Sequence, residues 1–210
     1  MSLRSVHKVA GAGLLIAAAV SLAGCGIAIP PLDSTPGPDP AAPLGWSELS
    51  TLDPDGVNRI LASQQARFDM SEGEIQKGTV GLGDADYGPD VNADGELIDL
   101  EIIGPAGTLT ARTDYIRFFT TDDAPTISRI TYFLAADEPE DFFQLLRDGS
   151  DAYGIDSGDV ESWISSIQSD SDGVSRFSFQ PGTLLGMNVN YDVRYDAASP
   201  PQVVIVEVYP

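Results

Sequence analysis

Histidine and cysteine are almost missing from this sequence. Its 210 residues contain one of each, His7 and Cys25, and both fall within the first 25 positions. Past that point the chain has no imidazole and no thiol. That excludes Ser-His-Asp and Cys-His nucleophile arrangements, zinc sites built on His or Cys, and haem or iron–sulfur centres using those ligands. Lysine is equally scarce, with only Lys8 and Lys77, and the 11 Lys and Arg face 32 Asp and Glu. Phosphate backbones are bound by basic residues in numbers, so nucleic acid is excluded as a partner. There is no Gly-x-Ser-x-Gly elbow and no phosphate loop ending in Lys-Ser/Thr. The stretch GTVGLGDAD, 78–86, breaks the dinucleotide fingerprint where Asp86 replaces the third glycine. Carboxylate chemistry survives these exclusions. Two acids can hydrolyse a glycosidic bond at the right separation, but among 32 acids no pair stands out by sequence.

The N-terminus has a clear layout. Arg4, His7 and Lys8 precede an apolar run from about Val9 to Leu22, closed by the small residues Ala23 and Gly24. A short basic region, a short apolar region and small residues make a secretory signal, and the run is too short for a membrane-spanning helix. The segment Leu22-Ala23-Gly24-Cys25 resembles the lipobox of bacterial lipoproteins. The resemblance covers the first 25 residues and implies a location. The signal, 1–24, is removed, and the sulfur of Cys25 carries a diacylglycerol that anchors the protein to the extracytoplasmic face of the cell membrane. It also accounts for a solitary cysteine, which would otherwise be an odd free thiol in a secreted chain. Loss of Arg4 and Lys8 with the signal leaves nine basic residues against 32 acidic ones, a formal charge of −23. Such a domain is repelled by an anionic bilayer surface and favours solubility and contact with cations. The acidic, lysine-poor make-up is similar to that of lipoproteins from Gram-positive, high-GC bacteria.

Residues 25–45 hold the lipidated cysteine and six prolines, Pro30, Pro31, Pro36, Pro38, Pro40 and Pro43. Proline removes backbone donors and favours extended geometry, so this segment is expected to be a tether reaching about 60 Å at roughly 3.1 Å per residue. Residues 46–210 are expected to form one domain with a single core.

Within it, DPDGVNRILASQQARFD, 53–69, predicts a helix capped by Asp53, with Pro54 at the first position. Alternation predicts a strand in LIDLEII, 97–103, and further strands in TLTARTDYIRFFT, 108–120, and SRITYFLA, 128–135. Asp137, Pro139 and Glu140 announce a helix ending near Gly149. Val160, Trp163, Ile164 and Ile167 stripe another. Three strands close the chain: VSRFSFQ, 174–180; MNVNYDVRYD, 187–196, with Met187, Val189, Tyr191, Val193 and Tyr195 on a core face; and VVIVEVY, 203–209, central. Short connections make the fold α+β: a single domain with a mostly antiparallel sheet, covered on one face by about three helices.

The motif that invites a ligand is DVNADGELIDLE, 90–101. Asp90, Asn92 and Asp94 stand at positions 1, 3 and 5 of a calcium loop, Gly95 at its sharp turn and Glu101 at position 12. Over these twelve residues it resembles an EF-hand or dockerin-type loop. The flanks oppose a helix-loop-helix hand. Gly81, Gly83, Gly88 and Pro89 precede the loop, and a strand follows it, which carries Glu101 roughly 16 Å beyond Glu96 at about 3.3 Å per residue. A reduced, weak calcium site from Asp90, Asn92, Asp94 and the Glu96 carbonyl, completed by Asp84 or Asp86, competes with a plain Asp-Gly turn. No other cofactor is expected.

Three readings of function stay open on sequence alone. The first is a binding or assembly module for an unknown cell-envelope protein or small molecule. The second is a carrier of an apolar ligand between sheet and helices, and the third a carboxylate-based cell-envelope hydrolase.

Overall fold

The computed structural model describes residues 44–121, 124–170 and 173–210. The expected signal, Cys25 and nearly all of the expected tether lie outside these. Among the described residues no helix is long and apolar enough to cross a membrane.

Helix α1 (Pro54–Ser63) begins as its sequence requires. The Asp53 carboxylate accepts the Gly56 N–H at 2.7 Å, and Pro54 occupies the first turn. Gly56 is obligatory there, because a Cβ would sit 2.2 Å from the Thr51 carbonyl oxygen. The helix was expected to run to Asp69 but stops at Ser63. Gln64 turns left-handed (φ 55°), and β1 (Gln65–Asp69) follows. The reason is the period-two burial of Ala66, Phe68 and Met70, which a helix would scatter around its axis.

After β1 come the short strands β2 (Ile75–Gln76) and β3 (Asp90–Asn92), then β4 (Ile98–Ile103), β5 (Thr108–Thr113), β6 (Tyr115–Thr120) and β7 (Thr126–Ala136). Helices α2 (Pro139–Tyr153) and α3 (Ser157–Ser169) precede β8 (Val174–Ser178), β9 (Asn188–Asp196) and β10 (Gln202–Tyr209). The protein is α+β, and all strand pairs but one are antiparallel. The large sheet has the order β3-β6-β7-β10-β9-β8, with β2 also on β7. A smaller sheet, β1-β4-β5, contains the one parallel pair, β1 with β4. The expected single strand over 108–120 is therefore two. Asp114 passes the chain from the small sheet to the large one, and the buried Thr113 hydroxyl stitches the junction. Its Oγ1 lies 2.8 Å from the Phe133 carbonyl and 3.2 Å from the Tyr115 amide.

One face of the large sheet carries the core: Ile116, Phe118, Ile130, Tyr132, Val204, Val206, Val208 and the Met187-to-Tyr195 row, all buried. Two layers share in covering it. Over β7, β10 and β9 lie α2 and α3, whose Phe142, Phe143 and Trp163 meet Tyr195. Toward β6 lies the small sheet, with Phe68 edge-on to Phe118 at 4.7 Å between centroids, and α1 beside it. Buried tyrosine hydroxyls are satisfied internally, Tyr132 donating to Tyr153 and Tyr191 to the Leu145 carbonyl, both at 2.9 Å. Helix α2 passes its expected end near Gly149, runs four residues further to Tyr153 and closes on Gly154, which is left-handed (φ 78°). Gly149 is no terminator, because the Tyr191 ring packs against its bare Cα. The cap residue of α2 is Glu138 rather than Asp137, and its side chain makes no capping bond.

Candidate functional site

The loop that resembles a calcium site is divided between other tasks. Asp90 and Asn92 lie in β3, paired antiparallel with Arg117 and Tyr115 of β6. The Asp90 carboxylate takes a two-pronged grip from Arg117, Nε at 2.8 Å and Nη2 at 2.7 Å, and also accepts the Tyr115 hydroxyl. The Arg117 hydrogen bonds are the main reason its pKa falls below the ordinary aspartate value. Asn92 Oδ1 accepts the Asp94 N–H at 2.9 Å. Asp94 and Gly95 both have positive φ (50° and 92°), and the Glu96 N–H closes onto the Ala93 carbonyl at 3.0 Å. Two consecutive left-handed residues closed by that bond make a type I′ turn, for which Asp-Gly is the favoured pair. The Glu96 side chain accepts from Gln64, and Glu101, out on β4, pairs with Arg67. Asp86 caps the Gly83 N–H, and the Asp84 carbonyl receives the ammonium of Lys77 at 2.8 Å. Among the described residues no three Asp, Glu, His or Cys side chains gather as metal ligands.

The Asp90 contact belongs to a larger feature. Since α1, α2, α3 and the small sheet all pack on the core face, no other described element covers the opposite face of the large sheet. Register sets its side chains in rows. One runs Asp90, Arg117, Thr131, Glu207, Asn190, a second Phe119, Arg129, Tyr209, Asn188, and a third Tyr115, Phe133, Ile205, Asp192. Arg129 is the hub of the second row. Its guanidinium lies 3.7 Å over the Phe119 ring, its Nη1 pairs with Glu207 at 2.8 Å, and it donates to the Tyr209 hydroxyl. This ion pair is more than four-fifths buried by its neighbours, whereas Arg117–Asp90 is about 40% exposed. Phe119 remains 41% exposed. Two buried polar atoms of this face, Thr131 Oγ1 and Arg129 Nε, have no partner among the described residues.

Charge separates the two sides of the domain. On the open face the strands place Arg117, Arg129, Arg176 and Arg194 against Asp90, Asp192, Asp196 and Glu207, which balance. The acidic excess lies elsewhere. Sequence reasoning singled out Asp90, as a calcium ligand, and passed over Arg117, Arg129 and Phe119, although the alternation of Ile116, Arg117 and Phe118 in β6 carried the signal.

Surface hollows are shallow. One of about 150 Å³ lies between Tyr87, Asp90, Arg117 and Phe119, and one of about 560 Å³ runs between α1 and the 82–89 loop, lined by Pro54, Val57, Leu82 and Tyr87. Comparison with known proteins gave no match to any family model, curated protein or solved structure.

Proposed function

We propose that this protein is a lipid-anchored module on the extracytoplasmic face of the membrane that binds a partner protein through the open face of its large sheet. The observation that carries the reading is the Arg129–Phe119–Tyr209 cluster beside Arg117–Tyr115 on an uncovered, charge-balanced face of a strongly acidic domain. Arginine and aromatic side chains held rigid by their neighbours are the groups that concentrate binding energy at protein interfaces. A flat strand platform with shallow hollows suits a protein surface better than a small molecule, which needs a concave site. Between sheet and helices the space is filled by Tyr132, Tyr153, Tyr191, Phe142 and Trp163, which speaks for a platform over a carrier. Asp69, Asp90 and Glu161 titrate below their ordinary values, held by Ser71, Arg117 and Arg147. A general acid needs the opposite shift.

Lys77, the only lysine after the signal, is 2% exposed, so amine-directed crosslinkers have no target on this surface. The test is therefore a photo-crosslinking residue at Phe119 in intact cells, with Gln144, exposed on the outer side of α2, as control. Capture of one protein from position 119, absent from position 144 and lost in Arg129→Glu, is the expected result. Equal capture at both positions would overturn the assignment of the face.

A further inference from the structure

Five described arginines are held by a carboxylate: Arg67, Arg112, Arg117, Arg129 and Arg147. Apart from Arg59 on α1, the exceptions are Arg176 and Arg194. These two are directly opposite each other in the register of β8 and β9. Cross-strand neighbours bring their Cβ atoms to roughly 4.5–5.5 Å, and like charges so placed destabilise a sheet. Among the described residues no carboxylate relieves them.

We propose that Arg176 and Arg194 form a binding site for a phosphomonoester group. Both line one hollow of about 330 Å³ at the corner of the open face, walled by Val174, Ser199, Pro201 and Val203. Asp196 lines the same hollow, with one carboxylate oxygen committed to the adjoining turn. The Asp196 carboxylate accepts the Ala198 N–H at 3.0 Å inside the β9–β10 turn, and Asp192, next along the strand, makes no ion pair with Arg194. The wall is rigid, because the buried Gln202 amide grips both the N–H and the carbonyl of Asp196, at 2.6 and 2.7 Å. Arg194 is steadied by one bond, Nη1 to the Val193 carbonyl at 3.0 Å, and keeps its remaining donors.

The choice of anion follows from counting oxygens. One guanidinium fork satisfies both oxygens of a carboxylate, leaving the second arginine idle. A phosphomonoester offers three oxygens and close to two charges at neutral pH, enough for both forks. The volume is at the small end of ligand sites, about 300–1,000 Å³. It admits the phosphate and a modest body resting on Val174, Pro201 and Val203. A free ester and a lipid phosphate share this chemistry. The site depends on neither the lipid anchor nor the partner protein proposed above.

The experiment follows the side-chain Nε–H signals of Arg176 and Arg194 by NMR in the full-length chain. Inorganic phosphate, phenyl phosphate and soluble dihexanoyl phosphatidic acid are titrated against chloride at matched ionic strength. Saturable shifts of both signals are expected with phosphate. Arg176→Gln and Arg194→Gln should each weaken binding about tenfold or more. Arg112→Gln, which removes the same charge from the small sheet, should leave it unchanged. Tighter binding of the phosphatidic acid than of phenyl phosphate assigns a lipid source, and the reverse order a small ester. Shifts that never saturate, or equal loss in Arg112→Gln and Arg194→Gln, would show diffuse attraction and overturn the site. The amide spectrum reports folding in every variant.

Discussion

Replacing Gly149 with alanine should destabilise the protein, although the same change inside an ordinary helix is favourable. Helix propensity alone predicts a gain of about 0.8–1 kcal/mol for alanine over glycine. Against that, a Cβ at Gly149 would lie 2.5 Å from Tyr191 Cζ, 2.6 Å from its hydroxyl oxygen and 2.9 Å from Cε1. Something must move. The tyrosine ring cannot, since it is fully buried and its hydroxyl is fixed to the Leu145 carbonyl one turn earlier. Backing α2 away from the sheet would open the Phe142 and Leu146 contacts, the same cost in another place. Overpacking of this kind costs about 1–3 kcal/mol, and loss of the tyrosine hydrogen bond adds about 0.5–1.5 kcal/mol. The net expectation is destabilisation by about 1–3 kcal/mol once the propensity gain is subtracted. Urea unfolding at 25 °C reads it directly, and the thermal midpoint should fall by roughly 2–4 °C per kcal/mol. Gly78→Ala is the control, with nothing within 4 Å of its added Cβ. It should be neutral or slightly stabilising. In a Tyr191→Leu background the cost of Gly149→Ala should shrink, giving a coupling energy of about 0.5–3 kcal/mol. A Gly149→Ala protein as stable as the parent, or a cost that survives in the Tyr191→Leu background, would refute the close approach of α2 to β9.

Thr113→Val removes the hydroxyl joining the two sheets and should cost about 1–3 kcal/mol, read by the same unfolding experiment. Asp90→Asn tests the Arg117 pair through pH. A depressed folded pKa contributes stability in full above the ordinary value of 3.8, and that contribution disappears as pH falls through the lower folded value. The parent should therefore exceed Asp90→Asn at pH 7 by no more than about 1 kcal/mol for so exposed a pair, with the gap closing below pH 3.8. Thermal unfolding in Ca²⁺, Mg²⁺ and Na⁺ at matched ionic strength should shift equally, since screening of so acidic a domain needs no site. A calcium-specific gain erased by Asp94→Ala would identify the loop as a metal site. Cys25→Ala should release the protein from the membrane fraction, and an unmodified Cys25 in the mature wild-type protein by mass spectrometry would contradict the anchor.

Much of the architecture could be read from local pattern. The Met187-to-Tyr195 alternation, the central apolar β10 and the α3 stripe each encode burial on one side, and each is buried there. Failures occurred where long-range partners decide. In 65–69 the residues Gln-Ala-Arg-Phe-Asp continue a helical spacing as well as they alternate. Pairing with β4, whose partner residues lie 34 positions away, settles the matter. The switch at Asp114 is invisible locally because both flanks are good strand sequence. Only the Thr113 bonds to Phe133 and Tyr115 show that one ladder ends and another begins. Gly149 failed for the related reason that a glycine required by a neighbouring ring looks, in sequence, like a glycine that ends a helix.

The loop at 90–101 is instructive in another way, because a calcium loop and a type I′ turn, the two readings open on sequence, ask for the same residues. Short oxygen-bearing side chains before an Asp-Gly pair satisfy local backbone donors as readily as an ion, and here Asn92 does so for Asp94. What separates the two is the destination of the carboxylate at the first position. Asp90 lies 27 residues from Arg117, and only the pairing of β3 with β6 places them together. The proposed binding face has the same origin. Phe119, Arg129 and Tyr209 are unremarkable one at a time, and they become a cluster because β6, β7 and β10 are consecutive in the sheet and in register. A sequence with no histidine and no thiol past residue 25 thus directs attention to its carboxylates. Register, which the sequence does not display, moves it to the few arginines, because in a chain so rich in acid their placement is the less redundant choice.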